Sequence, residues 1–213
     1  MIPEAAITAR RLLLVEGRDE LEFFDALVRQ EKLEGVQVMI VGGKAKFPKK
    51  LVALQRDRDF GGVEALAVVR DADENAASAF QSATGLLQRS GLPVPREMGT
   101  FTEGDGLRVG IYVMPGGQES GMLEDLCLQT VADHPVATCV DEYVACLEER
   151  LAPQGAAGQP ALPRNLSKCR AYAFLAAMEE PVARVGIGAQ KGYWKLDHPA
   201  LESLRSFLAQ LAA

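Results

Sequence analysis

Three apolar runs of similar length are the feature of this 213-residue sequence that most constrains its fold. They are RLLLV (11–15), VQVMIV (36–41) and VEALAVVR (63–70). Each is followed by a glycine or acidic turn and then by a stretch with helical features. Apolar strands that alternate with amphipathic helices are typical of a parallel sheet covered on both faces. The sequence therefore predicts an α/β fold with a mostly parallel sheet flanked by helices.

The second half of the chain has a different pattern. Two short apolar runs between residues 98 and 114 predict a strand pair with an antiparallel member, and the segments after them are mostly helical in pattern. Residues 152–163 are rich in Gly, Ala and Pro, which favours a linker, and GIGAQKG (186–192) predicts a Gly-rich turn. We therefore expect a domain over residues 1–133 and a helical C-terminal extension over 134–213 that packs on it.

Charge and composition exclude several classes of function. The net charge of -6 argues against a protein that coats nucleic acid through bulk electrostatics, although residues 44–58 carry six Lys or Arg and one Asp. No apolar stretch is long enough to span a membrane, and the N-terminus lacks the basic and apolar regions of a signal peptide. We expect a cytoplasmic protein that does not bind membranes. The four cysteines form no CxxC pair and both histidines precede a proline, so the sequence predicts no zinc site.

Acidic residues follow two of the predicted strands. Glu16 ends the first run and precedes Gly17, while Asp71 and Asp73 follow the third run. Ligands of open parallel sheets bind beyond the carboxyl ends of the strands, where three converging carboxylates would repel one another unless a cation is present. Carboxylates without His or Cys select Mg²⁺ or Mn²⁺. The residues alone leave a second interpretation open, in which these acids are solvated turn residues or helix caps.

Two motifs resemble the TOPRIM domain of topoisomerases, bacterial-type primases, RecR-like repair proteins and overcoming-lysogenization-defect nucleases. They are VEGRDELEFF (15–24) and VVRDADEN (68–75), and the resemblance covers roughly residues 10–130. The whole chain is also similar to small stand-alone bacterial TOPRIM-like proteins through VGGK, GMLEDL and KGYW.

The resemblance implies a TOPRIM-like Rossmannoid fold with a C-terminal helical lobe. It assigns Glu16 the role of general acid or base with a share in the metal shell, and Asp71 and Asp73 the binding of Mg²⁺ or Mn²⁺. Glu124 in GMLEDL resembles an acid of the overcoming-lysogenization-defect nucleases and implies a second metal, which would stabilise attacking and leaving oxygens together. A place in the first turn of a helix is the alternative for Glu124.

Several cations and backbone amides are candidate contacts for phosphate. Glycines and a lysine follow the second strand, and Lys191 lies beside Tyr193 and Trp194, a mixture suited to phosphate contact and base stacking or, equally, to simple packing. We assign Lys191 a catalytic role as well. The groups predicted to contact phosphate or nucleic acid are Gly43, Lys44, Lys46, Lys168 and Lys191.

The sequence favours a Mg²⁺-dependent nuclease or phosphodiesterase that acts on DNA or RNA. A non-catalytic module that binds nucleic acid or a nucleotide is the alternative, and because the chain has no P-loop a separate partner ATPase would supply the activity. A fragment of a topoisomerase or primase fits less well, since the chain lacks their additional domains. A response-regulator phosphoacceptor fits least, because it needs two acids after the first strand and one on the third.

Overall fold

The computed structural model describes residues 6–117, 120–151 and 160–213 of the chain. The strands are β1 (Arg11–Val15), β2 (Val36–Ile40), β3 (Ala65–Asp71), β4 (Phe101–Gly104) and β5 (Leu107–Met114). The helices are α1 (Arg18–Gln30), α2 (Gly43–Gln55), α3 (Ala76–Arg89), α4 (Leu123–Gln129), α5 (Pro135–Arg150), α6 (Leu166–Ala176), α7 (Val185–Gln190) and α8 (Glu202–Ala212).

The strands form one five-stranded sheet in the order β2-β1-β3-β5-β4. β1 pairs in parallel with β2 and β3, β3 pairs in parallel with β5, and β4 lies antiparallel at the edge beside β5. The predicted fold class is therefore confirmed: a mostly parallel sheet flanked by helices, with further helices toward the C-terminus. Because β1 and β3 are neighbours with the same direction, the residues after them meet at one edge of the sheet.

Both faces of the sheet are covered, which explains the uninterrupted apolar runs of the central strands. Leu13 and Val15 point to a core shared with α1 and α4 to α8, whereas Leu12 and Leu14 point to a core shared with α2 and α3. Successive residues of a strand face opposite sides, so a strand in this position needs apolar side chains throughout.

α7 replaces the predicted Gly-rich turn at residues 186–192, which is a correction to the expectation from sequence. Gly186 lies in its first turn, where a Cβ atom would stand 2.5 Å from both the carbonyl oxygen of Asp19 and the Cβ of Glu22. Only a glycine lets α7 approach α1 so closely. The helix is short, and its contact with α1 stabilises it against the low helix propensity of glycine.

Local features of the helices complete the fold. α2 begins at Gly43 and contains Pro48 inside the helix. His134 and His198 cap helical turns, since their Nδ1 atoms accept hydrogen bonds from the backbone amides two residues later at 3.2 and 3.1 Å. Residues 152–159 of the predicted linker lie outside the described residues, and the domain boundary at residue 133 stays a prediction.

None of the helices within the described ranges combines the length and the apolar character needed to cross a membrane.

Candidate functional site

Glu16 and Asp71 lie where β1 and β3 end, and the structure gives them different surroundings. Asp71 belongs to the strand face that packs against α1 and α4, whereas Glu16 forms an ion pair with Arg70 on the opposite face. Arg70 is 2% exposed, and its guanidinium carbon lies 5.9 Å from the centre of the Phe47 ring. The buried guanidinium therefore fixes the carboxylate of Glu16 at the edge of the sheet.

Asp71 lies in a strongly acidic environment. Its Oδ1 accepts a hydrogen bond from the backbone N–H of Leu123, at the start of α4, at 3.0 Å. Burial, followed by the negative charges of Glu20, Glu124 and Glu16, raises the pKa of Asp71 from 3.8 to about 8. At neutral pH and without a nearby cation, Asp71 is therefore mostly protonated.

Glu20 and Glu124 complete this group of carboxylates, which we call the acidic cluster: Glu16, Glu20, Asp71 and Glu124. Burial, and then neighbouring carboxylates, raise the pKa of both Glu20 and Glu124. Glu124 is only 5% exposed. The residues of the acidic cluster thus come from α1, β3, α4 and the end of β1. Of the four acids predicted to bind metal, the cluster includes Glu16, Asp71 and Glu124.

Glu20 was not predicted from the sequence. It lies in the first turn of α1, four residues after Glu16, and a Cβ atom on Gly17 would stand 3.0 Å from its Oε2. Gly17 therefore leaves room for this carboxylate beside the backbone. The sequence did contain a signal for Glu20, namely its spacing of four residues from Glu16 across a strand-to-helix turn. A residue in the first turn of the helix lies close to the end of the preceding strand.

Asp73 lies two residues after Asp71, just beyond the end of β3. Its backbone has φ of 51°, and its N–H and carbonyl exchange hydrogen bonds with Gly121 at 2.9 and 2.8 Å. Its side chain lines two surface clefts, one near Ser120 and Asp125 and the other near Arg70 and Asn75. The carboxylates with the largest effect on the pKa of Asp71 are Glu20, Glu124 and Glu16. A metal-binding role for Asp73 stays a prediction.

Lys168 on α6 is the predicted cation that the structure brings to the acidic cluster. Its Nζ lies 3.8 Å from Oε1 of Glu124. Burial acts to lower the pKa of Lys168, but the charges of Glu124, Tyr172, Asp71 and Glu20 outweigh it and raise the pKa. Lys168 therefore keeps its positive charge beside these carboxylates.

The other predicted phosphate contacts lie elsewhere. Lys191 forms an ion pair with Glu180, and Lys46 is an exposed residue of α2. The N–H of Gly43 donates to the carbonyl oxygen of Glu16 at 3.2 Å, so a phosphate contact through this amide would have to break that bond. The side chain of Lys44 lies outside the described part of the structure.

The aromatic pair after Lys191 serves packing. Trp194 is 1% exposed and stacks on Phe174 with 5.0 Å between ring centroids, and its indole N–H donates to the carbonyl of Val185 at 2.9 Å. The hydroxyl of Tyr193 donates to the carbonyl of Glu180 at 2.9 Å. Of the two interpretations left open by the sequence, the structure supports packing for Trp194, whose ring faces cannot reach a base.

Arg70 is the second residue that the sequence did not reveal. It interrupts the apolar run VEALAVVR directly before Asp71, and a charged residue inside a buried strand needs a partner. The signal was present in the sequence, but its partner became evident only when β1 and β3 were found side by side.

The donor groups of the acidic cluster suit a hard divalent cation in their chemistry. Carboxylate oxygens are the preferred ligands of Mg²⁺ and Mn²⁺, and burial together with neighbouring negative charges raises the pKa of Asp71. No three His, Cys, Asp or Glu side chains in the described ranges are already arranged as a cation site. The side chains would therefore have to reorient around an ion.

Comparisons with known proteins give the following similarities. The C-terminal region of the Xanthomonas campestris pv. campestris OLD protein is 16% identical, with 97% of this chain and 96% of that chain covered and a TM-score of 0.48. The C-terminal region of the Burkholderia pseudomallei OLD protein is 14% identical, with 97% and 100% covered and a TM-score of 0.46. Neither likeness carries a conclusion about activity. No curated protein matches the chain. The profile of a family described as "Protein of unknown function (DUF3226)" matches residues 10–213, and the chain therefore belongs to that family.

Proposed function

We propose that this protein is a nuclease or phosphodiesterase that acts on DNA or RNA and depends on Mg²⁺ or Mn²⁺ held by the acidic cluster. The observation that carries the proposal is the partly buried group of four carboxylates, in which the pKa of Asp71 rises to about 8. Bringing carboxylates together out of water lowers the stability of the folded protein, which is typical of a site that binds a ligand. Strongly shifted carboxylates at the carboxyl ends of parallel strands are typical of functional sites.

The composition of the cluster favours metal over proton chemistry alone. A bound divalent cation would neutralise phosphate charge and stabilise the attacking and leaving oxygens of a phosphodiester. The side chains that would hold it are Asp71, Glu20 and Glu124, with Glu16 at the edge of the cluster. The resemblance of VEGRDELEFF and VVRDADEN to the TOPRIM domain supports the same chemistry.

The remaining groups act on the substrate. Arg70 positions the carboxylate of Glu16, which can accept a proton from a nucleophile or return one to a leaving group. Lys168 holds an ammonium near Glu124 and Asp71, where it can bind a phosphate oxygen. A catalytic role for Lys191 requires it to leave Glu180.

Cleavage assays test the proposal directly. Purified protein is incubated with single- and double-stranded DNA and RNA in the presence of Mg²⁺ or Mn²⁺ or of a chelator. We expect cleavage only with metal, and a loss of at least about 100-fold in Asp71→Asn and Glu16→Gln. Asp105→Asn is the matched control, because it makes the same chemical change in the turn between β4 and β5. Cleavage that persists in both site variants would refute the assignment.

A second candidate function is a non-catalytic module that binds nucleic acid and works with a partner ATPase. The observation that favours it is that no three His, Cys, Asp or Glu side chains in the described ranges are already arranged to hold a cation. Affinity for nucleic acid that depends on metal, without any turnover under all of the conditions above, would distinguish this candidate from a nuclease.

A further inference from the structure

A cleft of about 710 Å³ opens beside the acidic cluster, between the N-terminus of α3 and the residues that lead into α6. We call it the α3 cleft. Ala72, which lies between the two aspartates of DAD, forms part of its wall. The polar residues used in the argument below are Arg70, Asp73, Asn75, Ser78, Ser82 and Arg164, all of which line the cleft.

The buried side chain of Arg70 has a hydrogen-bond donor that its ion pair with Glu16 does not use. Its Nε is bound to Glu16, but its Nη2 is buried and has no hydrogen-bond partner among the described residues. Leaving a buried donor without an acceptor destabilises a protein by about 1–3 kcal/mol. Arg70 lines the α3 cleft, so a small shift of its guanidinium toward a ligand in the cleft would let an acceptor atom satisfy this donor.

Further donors point to the same kind of ligand. Asn75 caps the 14-residue helix α3 by accepting a hydrogen bond from the N–H of Ser78 at 2.8 Å, which places the positive end of the helix dipole at the cleft. Ser78 and Ser82 are four residues apart and thus lie on one side of α3. Arg164 is exposed, and within the described ranges it has no ion-pair partner.

The residues that line the α3 cleft also indicate which part of a ligand they contact. Asp73 and Glu74 bring negative charge to the same cleft, so the total charge of the lining does not favour an anion. An anion would have to be bound through directed hydrogen bonds from arginine and serine. No aromatic side chain lines the cleft within the described ranges, which leaves no platform for base stacking. Guanidinium and hydroxyl groups are the donors that proteins use for phosphate oxygens.

We propose that the α3 cleft binds a phosphate of the nucleic-acid backbone next to the phosphate that the acidic cluster engages. The class of the ligand rests on the proposed function. Phosphate oxygens carry no sequence information, so recognition of this kind is independent of base sequence. The α3 cleft thereby adds a second contact for the strand beside the acidic cluster.

Binding measured without metal separates this proposal from catalysis. The full chain, in a chelator, is titrated against a fluorescein-labelled thymidine oligomer of about 16 nucleotides while fluorescence anisotropy is recorded. We expect Arg164→Gln to weaken binding about tenfold and to reduce the slope of log Kd against log salt by about 0.7 to 1. Ser78→Ala should weaken binding about threefold. Arg96→Gln is the control, because it removes an exposed arginine that does not line the cleft.

Three outcomes would overturn the proposal: no binding of the oligomer by the unaltered protein, equal affinities of Arg164→Gln and Arg96→Gln, or displacement of the oligomer by inorganic phosphate at an equal concentration of phosphate groups. The last outcome would show a site for free phosphate rather than for a strand. If Arg164→Gln weakens binding but the unaltered protein cleaves nothing with Mg²⁺ or Mn²⁺, the α3 cleft is supported and the nuclease function is refuted.

Discussion

Arg70 and Asp71 are consecutive residues whose charges are compensated in different ways. Arg70 points to the α2 side of the sheet and pairs with Glu16, whereas Asp71 points to the α1 side and meets only other carboxylates among its strongest electrostatic neighbours. The pleat of β3 separates them. The guanidinium of Arg70 therefore neutralises Glu16, whereas a bound proton neutralises Asp71.

The raised pKa of Asp71 predicts a pH dependence of stability. Between the ordinary value of 3.8 and about 8, the folded protein binds a proton that the unfolded chain has lost, so the free energy of unfolding decreases as the pH rises through this range. The slope from this residue is at most about 1.4 kcal/mol per pH unit. Urea unfolding in a chelator should show this slope in the unaltered protein relative to Asp71→Asn. Parallel stability curves of the two proteins would contradict the prediction.

Metal binding should release the same proton. A cation needs the ionised carboxylate of Asp71, so affinity for Mn²⁺ should rise up to about tenfold per pH unit below about 8. Calorimetric titrations at neutral pH in two buffers with different heats of ionisation should report close to one proton released. No release, or an affinity independent of pH, would show that the cation binds elsewhere.

Removing the guanidinium of Arg70 should destabilise the protein strongly. Arg70→Met leaves the largely buried carboxylate of Glu16 without its partner, and we expect a loss of about 3 kcal/mol in the free energy of unfolding. Arg58→Met is the matched control, because Arg58 pairs with Asp59 at the surface and should contribute less than about 1 kcal/mol. Glu16→Gln combined with Arg70→Met should recover part of the loss. A double variant as unstable as Arg70→Met would mean that the packing of Arg70, not its charge, matters.

At the scale of elements, the contact between α1 and α7 connects the C-terminal helices to the site. Asp19 of α1 accepts a hydrogen bond from the N–H of Gly186 at 3.2 Å, and Arg184 lies 2.8 Å from Glu22. Glu20 of the acidic cluster lies between these two residues of α1. α7 therefore supports the turn of α1 that presents Glu20.

Gly186→Ala should disturb this contact. The added Cβ would stand 2.5 Å from the backbone oxygen of Asp19, so the helices must separate, and we expect a destabilisation of about 1–3 kcal/mol. Gly61→Ala is the control, since its Cβ would meet nothing within 4 Å and should change stability by no more than about 0.5 kcal/mol. Thermal unfolding measures both. Equal midpoints for the two variants would show that α7 can shift without cost.

A helix or strand could be predicted where its sequence pattern lies within one short segment. β1 and β3 were evident because strands buried on both faces leave long apolar runs, and Glu16 and Asp71 followed from the ends of those strands. α7 was missed, since its glycines disfavour a helix and only the approach of α1 explains them. Glu20 and Arg70 needed knowledge of which strands are neighbours and which way a helix turns, and the sequence does not contain that information in any short segment.

At the scale of the whole molecule, the sheet and the C-terminal helices share one core. The core on the α1 side of the sheet includes Leu13 and Val15 of β1 together with Phe174 of α6 and Phe207 of α8. Residues far apart in sequence thus bury one another, and the boundary at residue 133 stays a prediction.

This shared core predicts a single unfolding transition. Trp194 is the one tryptophan of the chain and is buried in that core, so its fluorescence reports on the C-terminal helices, while far-UV circular dichroism reports on all elements. We expect both signals to give the same urea midpoint. Two separate midpoints would show that the C-terminal helices unfold independently of the sheet.

The pairing of Glu16 with Arg70 also bears on the order of folding and ion binding. A carboxylate that has its own counterion, next to another that holds a proton, lets the chain reach its native shape before any ion arrives. Folding and the proposed binding of an ion are then separate steps, and we expect the protein to fold in chelating buffer. A cation that binds the folded state would add to its stability without being needed to form it.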